Sequence, residues 1–594
     1  MGGPPLDEML EAEEAPSRPF AMVPGDDLGP PPLAREPRVL AWLPLILLVA
    51  LSFALHRDAL RLPWLMDDPL LLDAAAFESI SGFFFSPESL RRVSANFFTP
   101  MFATSIAVDY LAFGLEPSTF YARQLLSLGL LAAGLYYVLL PRGRAAAWTA
   151  ALLFSFSPAA AVCARLVMLR HYIEGGCFAL LAVLLLQRAA SRRGRGWLTA
   201  QAAGVAYLVA MLYKETYVPL GLAAPWLVSG AWAVRRSLCA PMLVALAIYV
   251  PWRLDMLGTL GGYGGDPSFL VDPGVWGASG VAVLGMLGGA SRPFGSWTPE
   301  GMAAAVVLVL TAVRLGRGRA RVGWAVLTAL GLASLVPILP SLAAGEVADY
   351  RLVLHLAGIG AVAIGYGMVG AGESHWSGPR IATAAVAFAT LFGLIARHPS
   401  IVEMFYTRMR CHIREVDYLW NARGEGQVLA TQFSFLNRPA VARLRRELRG
   451  QETPLVCSAP FDFRDDADRE EARYVHYSRA LDAIVSCDEG FRTTRRLFVD
   501  TIDEGRFRVR LAVSDGLVEC QLDGGTASGR YFLLQGDVPG LYESLAVPPT
   551  ASYRFAVPPN PTYFRFAKVV GEVCILTPEW RVDLRLDSVL EWNG

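Results

Sequence analysis

Residues 39–69 read VLAWLPLILLVALSFALHRDALRLPWLMDDP, an apolar run, a short polar loop and then two adjacent aspartates, Asp67 and Asp68. The run is long enough to cross the roughly 30 Å hydrocarbon core of a bilayer as a helix. Two carboxylates placed where such a span leaves the membrane lose solvation unless they pair, bind a cation or act as a base. This stretch therefore predicts a membrane helix with chemistry at one face.

The composition of the whole chain agrees with that prediction. Of its 594 residues, 54% are hydrophobic and only 18% are charged, and the mean hydropathy is +0.38. A chain this apolar is typical of membrane proteins, and its length allows a helix bundle plus one soluble domain. The formal net charge of +0 gives no electrostatic reason to expect nucleic acid as a partner.

Apolar runs of spanning length recur as far as residue 397. We predict about eleven transmembrane helices, at 39–56, 119–140, 145–163, 174–190, 197–213, 216–234, 237–252, 299–315, 322–340, 353–371 and 380–397. Residues 1–37, rich in proline and acidic residues, are expected to be a disordered cytoplasmic tail. The predicted fold class is mainly α: a polytopic transmembrane domain at 38–397, followed by a soluble extracytoplasmic α+β domain at 398–594.

Arginine clusters fall in alternate loops, as the positive-inside rule requires of the cytoplasmic side. The clusters are Arg142/Arg144, Arg188/Arg192/Arg193/Arg195, Arg235/Arg236 and Arg314/Arg317/Arg319/Arg321. An odd number of spans then places the aspartate pair and the C-terminal domain on the opposite face, which in a bacterium is the periplasm or cell exterior. We interpret residues 275–290 as a re-entrant or surface helix, because a further span there would move the last cluster outside.

Four short elements follow one another along the outward loops. They are Asp67-Asp68; Thr99-Pro100 with Leu111-Ala112-Phe113-Gly114-Leu115-Glu116-Pro117 and Tyr121; Tyr213-Lys214-Glu215-Thr216 with Pro219; and Tyr350-Arg351 with His355. Their order and sidedness, over residues 39 to about 397, resemble the GT-C superfamily. These multi-spanning glycosyltransferases use polyprenyl-phosphate sugars and include the protein O-mannosyltransferases and oligosaccharyltransferases.

The resemblance implies an inverting transfer of a sugar from a polyprenyl phosphate to a glycan, lipid or protein acceptor outside the cytoplasm. Asp67 is then the expected general base, and Asp68 orients it, shares its proton or helps to ligate a divalent cation such as Mg²⁺ or Mn²⁺. Fixed cations would stabilise the leaving phosphate. The candidate substrate-binding residues are His171, Lys214, Glu215, Arg253, Tyr350, Arg351 and His355.

Each element also has a purely structural interpretation. The aspartates could lie in a solvated loop or cap a helix before Pro69, Lys214 could end a span and pair locally, and Arg351 could anchor a span. A second functional interpretation is a transporter or flippase of lipid-linked sugars, whose key charges should lie near mid-membrane on several spans. A membrane-anchored sensor or scaffold domain is a third, although one span would suffice for anchoring.

The sequence changes character after residue 398, where charged and alternating patterns replace the apolar runs. Residues 506–513 and 517–522, on either side of Ser514-Asp515-Gly516, predict a β-hairpin. Residues 531–534 and 553–557 predict further strands, and residues 439–448 predict a helix. We expect this α+β domain to bind the acceptor or shield the active site, by analogy only.

Overall fold

The computed structural model describes residues 38–94, 97–191, 196–227, 232–258, 358, 378–422, 427–431, 437–458 and 473–486, and the strands between 508 and 593. The chain divides into two compact units, Met1–Pro44 and Leu45–Gly594, and every contact below lies within the second. The predicted tail, the spans at 299–315 and 322–340, nearly all of 353–371 and the helix at 275–290 lie outside the described residues. So do the candidates Tyr350, Arg351 and His355.

Helices make up the described chain as far as residue 258. In order they are α1 (Arg38–His56), α2 (Asp68–Phe77), α3 (Ile80–Phe85), α4 (Pro87–Val93), α5 (Pro100–Phe113), α6 (Pro117–Leu139), α7 (Arg144–Ser155), α8 (Pro158–Cys163), α9 (Arg170–Ser191), α10 (Trp197–Tyr213), α11 (Val218–Leu227) and α12 (Trp232–Leu257). Proline opens α4, α5, α6 and α8, where its missing N–H costs no helical hydrogen bond.

Four described segments are long and apolar enough to cross a membrane: Trp42–Arg61, Pro117–Leu139, Val167–Ser191 and Val234–Leu257. They contain most of the spans predicted at 39–56, 119–140, 174–190 and 237–252. With the apolar composition, they identify the chain as an integral membrane protein. The predicted total of about eleven spans remains a prediction.

The span predicted at 145–163 is divided into α7 and α8. The division occurs because Ser157 Oγ accepts a hydrogen bond from the Ala160 amide at 3.2 Å and Pro158 begins the new helix, the combination that favours a helix start. The run predicted at 380–397 forms the first part of α13 (Gly378–Asn421). That helix continues through residues 397 and 398, the predicted domain boundary.

Glycines allow several of these helices to pack closely. A Cβ added to Gly129 of α6 would lie 2.6 Å from the backbone of Val49 in α1. A Cβ at Gly204 of α10 would lie 2.7 Å from Pro241 of α12. Small residues at such crossings let helix backbones approach where lipid provides no hydrophobic driving force.

The strands after α13 form three sheets, and α14 (Arg438–Arg449) is the helix predicted at 439–448. The strands are β1 (Gln427–Thr431), β2 (Leu455–Ser458), β3 (Arg473–Ser478), β4 (Ala483–Ser486), β5 (Arg508–Ser514), β6 (Leu517–Asp523), β7 (Arg530–Val538), β8 (Leu541–Val547), β9 (Ser552–Ala556), β10 (Thr562–Val570), β11 (Val573–Leu576), β12 (Trp580–Val582) and β13 (Ser588–Asn593). The sheet orders are β2-β1-β3-β4, β11-β10-β7-β8 with β12 on β10, and β13-β5-β6-β9.

The first sheet packs against α13. Strand β1 is parallel to both β2 and β3, and α14 connects β1 to β2 as the crossover helix that parallel pairing requires. The predicted hairpin is confirmed, since β5 and β6 pair in antiparallel register with Ser514 opposite Leu517. The strands predicted at 531–534 and 553–557 correspond to β7 and β9.

Replacing Gly129 with alanine should destabilise the bundle, because the new methyl group would meet the Val49 backbone, which cannot rotate away. We expect a loss of about 1–3 kcal/mol, the usual cost of overpacking, measured as a lower midpoint of thermal unfolding in detergent. The control is Gly393→Ala in α13, where the added Cβ would have no atom within 4 Å and should raise helix stability slightly. Equal midpoints for the two variants would contradict the close α1–α6 contact.

Candidate active site

The two adjacent aspartates occupy opposite environments. Asp68 is buried, with 1% of its surface exposed, whereas Asp67 is exposed. The Asp68 carboxylate accepts hydrogen bonds from the Leu65 amide at 2.9 Å and the Met168 amide at 2.8 Å. Asp68 therefore joins the turn before α2 to the loop before α9, and Asp67 lies on the outer side of that turn.

Two buried side chains of α6 support the same loops. The Tyr121 hydroxyl donates to the carbonyl of Pro63 at 3.1 Å, just before the aspartates. Gln124 donates its side-chain amide to the carbonyl of Leu166 at 2.7 Å, just before Met168. Helix α6 thus holds the segment that contains Leu65 and the segment that contains Met168, the two residues that donate to Asp68. Tyr121, a residue of the predicted motif, contributes by holding the first of these segments.

Burial raises the pKa of Asp68 to about 7, and the charge of Asp67 acts in the same direction. The amides of Leu65 and Met168 and the charge of Arg170 oppose this rise. The carboxylate is therefore held in place by donors of the turn at an energetic cost, a pattern common in active sites.

The Asp68 carboxylate is not oriented as a ligand of a divalent cation. Mg²⁺ and Mn²⁺ require several oxygen ligands that converge on one point, but both Asp68 oxygens face backbone N–H groups. Among the residues that the structure describes, no group of three or more His, Cys, Asp or Glu side chains could hold a metal ion.

Segments from beyond the membrane bundle also contact the aspartate turn. The amide of Met66 donates to Nε2 of His412 in α13 at 2.9 Å. The carbonyl of Met66 accepts from the side-chain amide of Asn437 at 2.9 Å. Burial lowers the pKa of His412 to about 3, so the imidazole is neutral at physiological pH and can accept this hydrogen bond.

An ion pair between a buried aspartate and a half-buried arginine joins α2 to α14. Arg443 lies 3.1 Å from Asp73, and its guanidinium lies over the ring of Phe77 at 3.9 Å from the ring centroid. Burial raises the pKa of Asp73 to about 6, an effect that Arg443 opposes. Helix α2, which begins at Asp68, is thus attached to the C-terminal part at both of its ends.

Four charged side chains connect α5, α6 and α9, and they are called the four-charge network below. Asp109 of α5 pairs with Arg170 at 2.5 Å and with Arg123, and Arg123 also lies 3.3 Å from Glu174. Ser105 donates to Glu174 at 2.6 Å. The network holds two positive and two negative charges, which offset one another where water is excluded.

Lys214, Glu215 and Arg253 form a second cluster. Glu215 accepts from the Phe98 amide at 3.0 Å and pairs with Arg253. The Lys214 ammonium lies 3.2 Å from the ring centroid of Phe97 and 5.4 Å from that of Tyr172. Glu215 is thus connected to α12 through Arg253, and the Lys214 ammonium lies over two aromatic faces.

The two clusters lie at the same end of the bundle. Helices α6 and α9 begin there, since Arg123 and Glu174 meet within the first two turns of their helices. Helices α10 and α12 end there, since Glu215 follows α10 and Arg253 lies in the last turns of α12. His171 is half-buried near Lys214, with its ring 4.3 Å from that of Tyr172. The structure therefore gathers the described candidates at the end of the helices opposite Arg144 and Arg188.

Several residues of this region were not identified from the sequence as site residues. Asp109 carried a usable signal, because a carboxylate inside the apolar helix α5 requires a partner. Asp58 lies before the aspartates and pairs with the fully buried Arg165 at 2.8 Å, while Tyr406 donates to it at 2.6 Å. His412 lies in a charged segment where nothing in the local pattern sets it apart.

The chain has weak structural similarity to two solved structures of one protein. It matches ArnT from Cupriavidus metallidurans in the apo state with 15% sequence identity and a TM-score of 0.33, over 75% of this chain and 94% of that one. It matches ArnT from Cupriavidus metallidurans bound to undecaprenyl phosphate with 13% identity and a TM-score of 0.29, over 74% and 94% of the two chains. No family model matches the sequence, and no curated protein matches it.

The raised pKa of Asp68 predicts how the stability of the protein depends on pH. Because the folded state binds this proton more tightly than the unfolded state, the stability contributed by Asp68 is present below about pH 4 and is lost as the pH rises toward 7. Wild type should therefore lose about 1.4 kcal/mol per pH unit relative to Asp68→Asn over this interval. Thermal unfolding between pH 4 and 8 measures the difference.

The exposed neighbour provides the matched control for that measurement. Asp67→Asn should keep most of the pH-dependent loss seen in wild type, with a slightly smaller total, because Asp68 stays buried and loses only the minor contribution of the Asp67 charge to its raised pKa. A constant difference between wild type and Asp68→Asn from pH 4 to 8 would show that Asp68 has no raised pKa.

Removing one carboxylate from the four-charge network should destabilise the protein strongly. Asp109→Asn leaves Arg170, whose side chain is 0% exposed, without its charged partner, at an expected cost of about 3–5 kcal/mol. The control is Glu88→Gln, which breaks the exposed i,i+4 pair with Arg92 at a cost of about 0.3–0.5 kcal/mol. Similar unfolding midpoints for the two variants would rule out a structural role for the network.

Proposed function

We propose that this protein is an inverting glycosyltransferase that moves a sugar from a polyprenyl-phosphate donor to an acceptor hydroxyl. One observation supports the proposal above all. The exposed carboxylate of Asp67 lies on a turn held by its buried neighbour, at the bundle end where Lys214 and Arg253 lie. A base and fixed cations at one end of a bundle of apolar helices are what this reaction requires.

In the proposed reaction, Asp67 accepts the proton of the acceptor hydroxyl as its oxygen attacks the anomeric carbon of the sugar. The bond between that carbon and the phosphate oxygen breaks at the same time, and its electron pair leaves with the polyprenyl phosphate. A single displacement of this kind inverts the anomeric configuration. Asp68 contributes by holding the turn, since both of its oxygens accept backbone N–H groups.

The leaving phosphate needs positive charge on the side of the sugar away from Asp67. Lys214 fits this role, because the rings of Phe97 and Tyr172 hold its buried ammonium at this end of the bundle. Arg253 is paired with Glu215 and is better suited to orienting that carboxylate. His171, Tyr350, Arg351 and His355 remain proposed donor-binding residues on the basis of the motif resemblance.

The proposed location is a bacterial inner membrane, with the site and the C-terminal part on the periplasmic or extracellular face. The support is the arrangement of charge along the helices. Arg144, Arg188 and Arg235 lie at one end of the described helices, as expected for the cytoplasmic side, and the acidic turn lies at the other. A lipid-linked donor would reach this end from the bilayer itself.

Replacing Asp67 with asparagine should abolish most transfer while leaving the protein folded. The chain, reconstituted in nanodiscs, is supplied with undecaprenyl-phosphate-linked radiolabelled hexoses and pentoses and a mixture of glycan, lipid and peptide acceptors. Loss of a general base should reduce kcat by about 10²–10⁴-fold, with little change in KM for the donor. The unfolding midpoint should equal that of wild type, because Asp67 is exposed.

Glu88→Gln is the control for activity as well, since Glu88 is exposed and its charge pairs with Arg92 of the same helix. Transfer unchanged in Asp67→Asn would remove this residue as the base. Translocation of a fluorescent undecaprenyl-phosphate sugar across liposomes, without transfer by wild type and unaffected by Asp67→Asn, would instead establish the flippase function.

A further inference from the structure

The residue that precedes the aspartates has an unusual backbone conformation. Met66 has φ = 52°, in the left-handed region that side chains with a Cβ rarely adopt. Such a conformation costs on the order of 1 kcal/mol and persists only where surrounding contacts hold it. Because Met66 is bonded directly to Asp67, its φ and ψ angles set the direction in which the Asp67 side chain leaves the turn.

The contacts that hold Met66 come from distant parts of the chain. Its N–H group donates to His412, 346 residues away, and its carbonyl accepts from Asn437, 371 residues away. The backbone of Met66 thus satisfies both of its polar groups through side chains of α13 and of the residue before α14. Neither bond is part of a regular turn or helix.

Both partner residues are buried. His412 is 0% exposed and Asn437 is 4% exposed. Asn437 stands at the position before α14 where an asparagine side chain commonly caps the helix, yet it makes no such cap and bonds to Met66 instead. It also has a left-handed backbone, with φ = 53°, which asparagine tolerates better than most residues.

We propose that His412 and Asn437 are positioning residues that set the conformation of the Asp67–Asp68 turn through the backbone of Met66. The part of the chain that follows the membrane bundle thereby completes the catalytic unit, in addition to any contact with the acceptor. The consequence for transfer rests on the proposed function, but the conformational role does not.

Hydrogen exchange of the Met66 amide tests this role directly. His412→Leu replaces the imidazole acceptor with an apolar side chain of similar size. Exchange of the Met66 amide should then become about tenfold faster. His412→Gln places an amide oxygen near the position of Nε2 and should keep the exchange rate within about threefold of wild type. Glu403→Gln, at an exposed position of the same helix, is the matched control and should leave the rate unchanged.

A second variant separates the side chain of Asn437 from its backbone conformation. Asn437→Gly removes the donor to the Met66 carbonyl, and glycine adopts a φ of 53° without strain. Faster exchange should be confined to residues 64–68, while amides in the middle of α6 keep their wild-type protection. That comparison distinguishes a loosened turn from a protein that is destabilised throughout.

Transfer by the same variants connects the turn to catalysis. His412→Leu should lower kcat by about 10–100-fold with KM for the undecaprenyl-phosphate sugar nearly unchanged, because small misplacements of a reacting group are costly. His412→Gln should recover most of that loss. A general loss of folding would lower the amount of active protein without this rescue.

The outcomes are separable. Wild-type exchange rates at Met66 in both His412→Leu and Asn437→Gly, or equally fast exchange in the leucine and glutamine variants, would overturn the positioning role. Faster exchange in His412→Leu with recovery in His412→Gln would support it. If wild type transfers no sugar, the proposed function fails, and the exchange measurements still decide whether His412 and Asn437 hold the turn.

Discussion

Compensation of buried charge is the constraint on which the rest of this structure depends. Arg170 is fully buried and meets Asp109 of another helix, and Arg123 connects both to Glu174. A charge left alone in such surroundings would cost several kcal/mol, so α5, α6 and α9 can pack only in a register that brings these groups together. That register also brings the Met168 amide to Asp68 and so forms the base of the candidate site.

The aspartate turn lies where this charge network meets the C-terminal part of the chain. On one side Asp68 bonds to the loop before α9; on the other, Asp73 pairs with Arg443 of α14. Helix α13 carries the chain from the predicted last span into the C-terminal part without interruption. A boundary at residues 397 and 398 therefore divides the sequence by composition, while the contacts around Asp67 and Asp68 combine residues from both sides of it.

The features that the sequence predicted are those that depend on residues close together in the chain. Of the roughly eleven spans that apolar runs predicted, four correspond to helices of membrane length in the described part of the chain. Alternation around Ser514 predicted the β5–β6 hairpin, which the register confirms. The order of charged residues along alternate loops predicted that Lys214, Glu215 and Arg253 would lie at the same end of the bundle as the aspartates. The parallel pairing of β1 with β2 and β3 was not predicted, since parallel register depends on crossovers that no short pattern specifies.

The amino-acid sequence by itself determined that the chain inserts into membranes, and that an acidic pair follows its first span, because hydropathy and loop charge act over a single segment. Only the tertiary structure decided that Asp68 is buried and Asp67 exposed. Two neighbouring aspartates have the same chemistry, and they differ only in the groups that pack against them. The tertiary structure likewise decided that His412 and Asn437 meet Met66. Those contacts join residues more than 340 positions apart, and their energies exist only after the chain has folded.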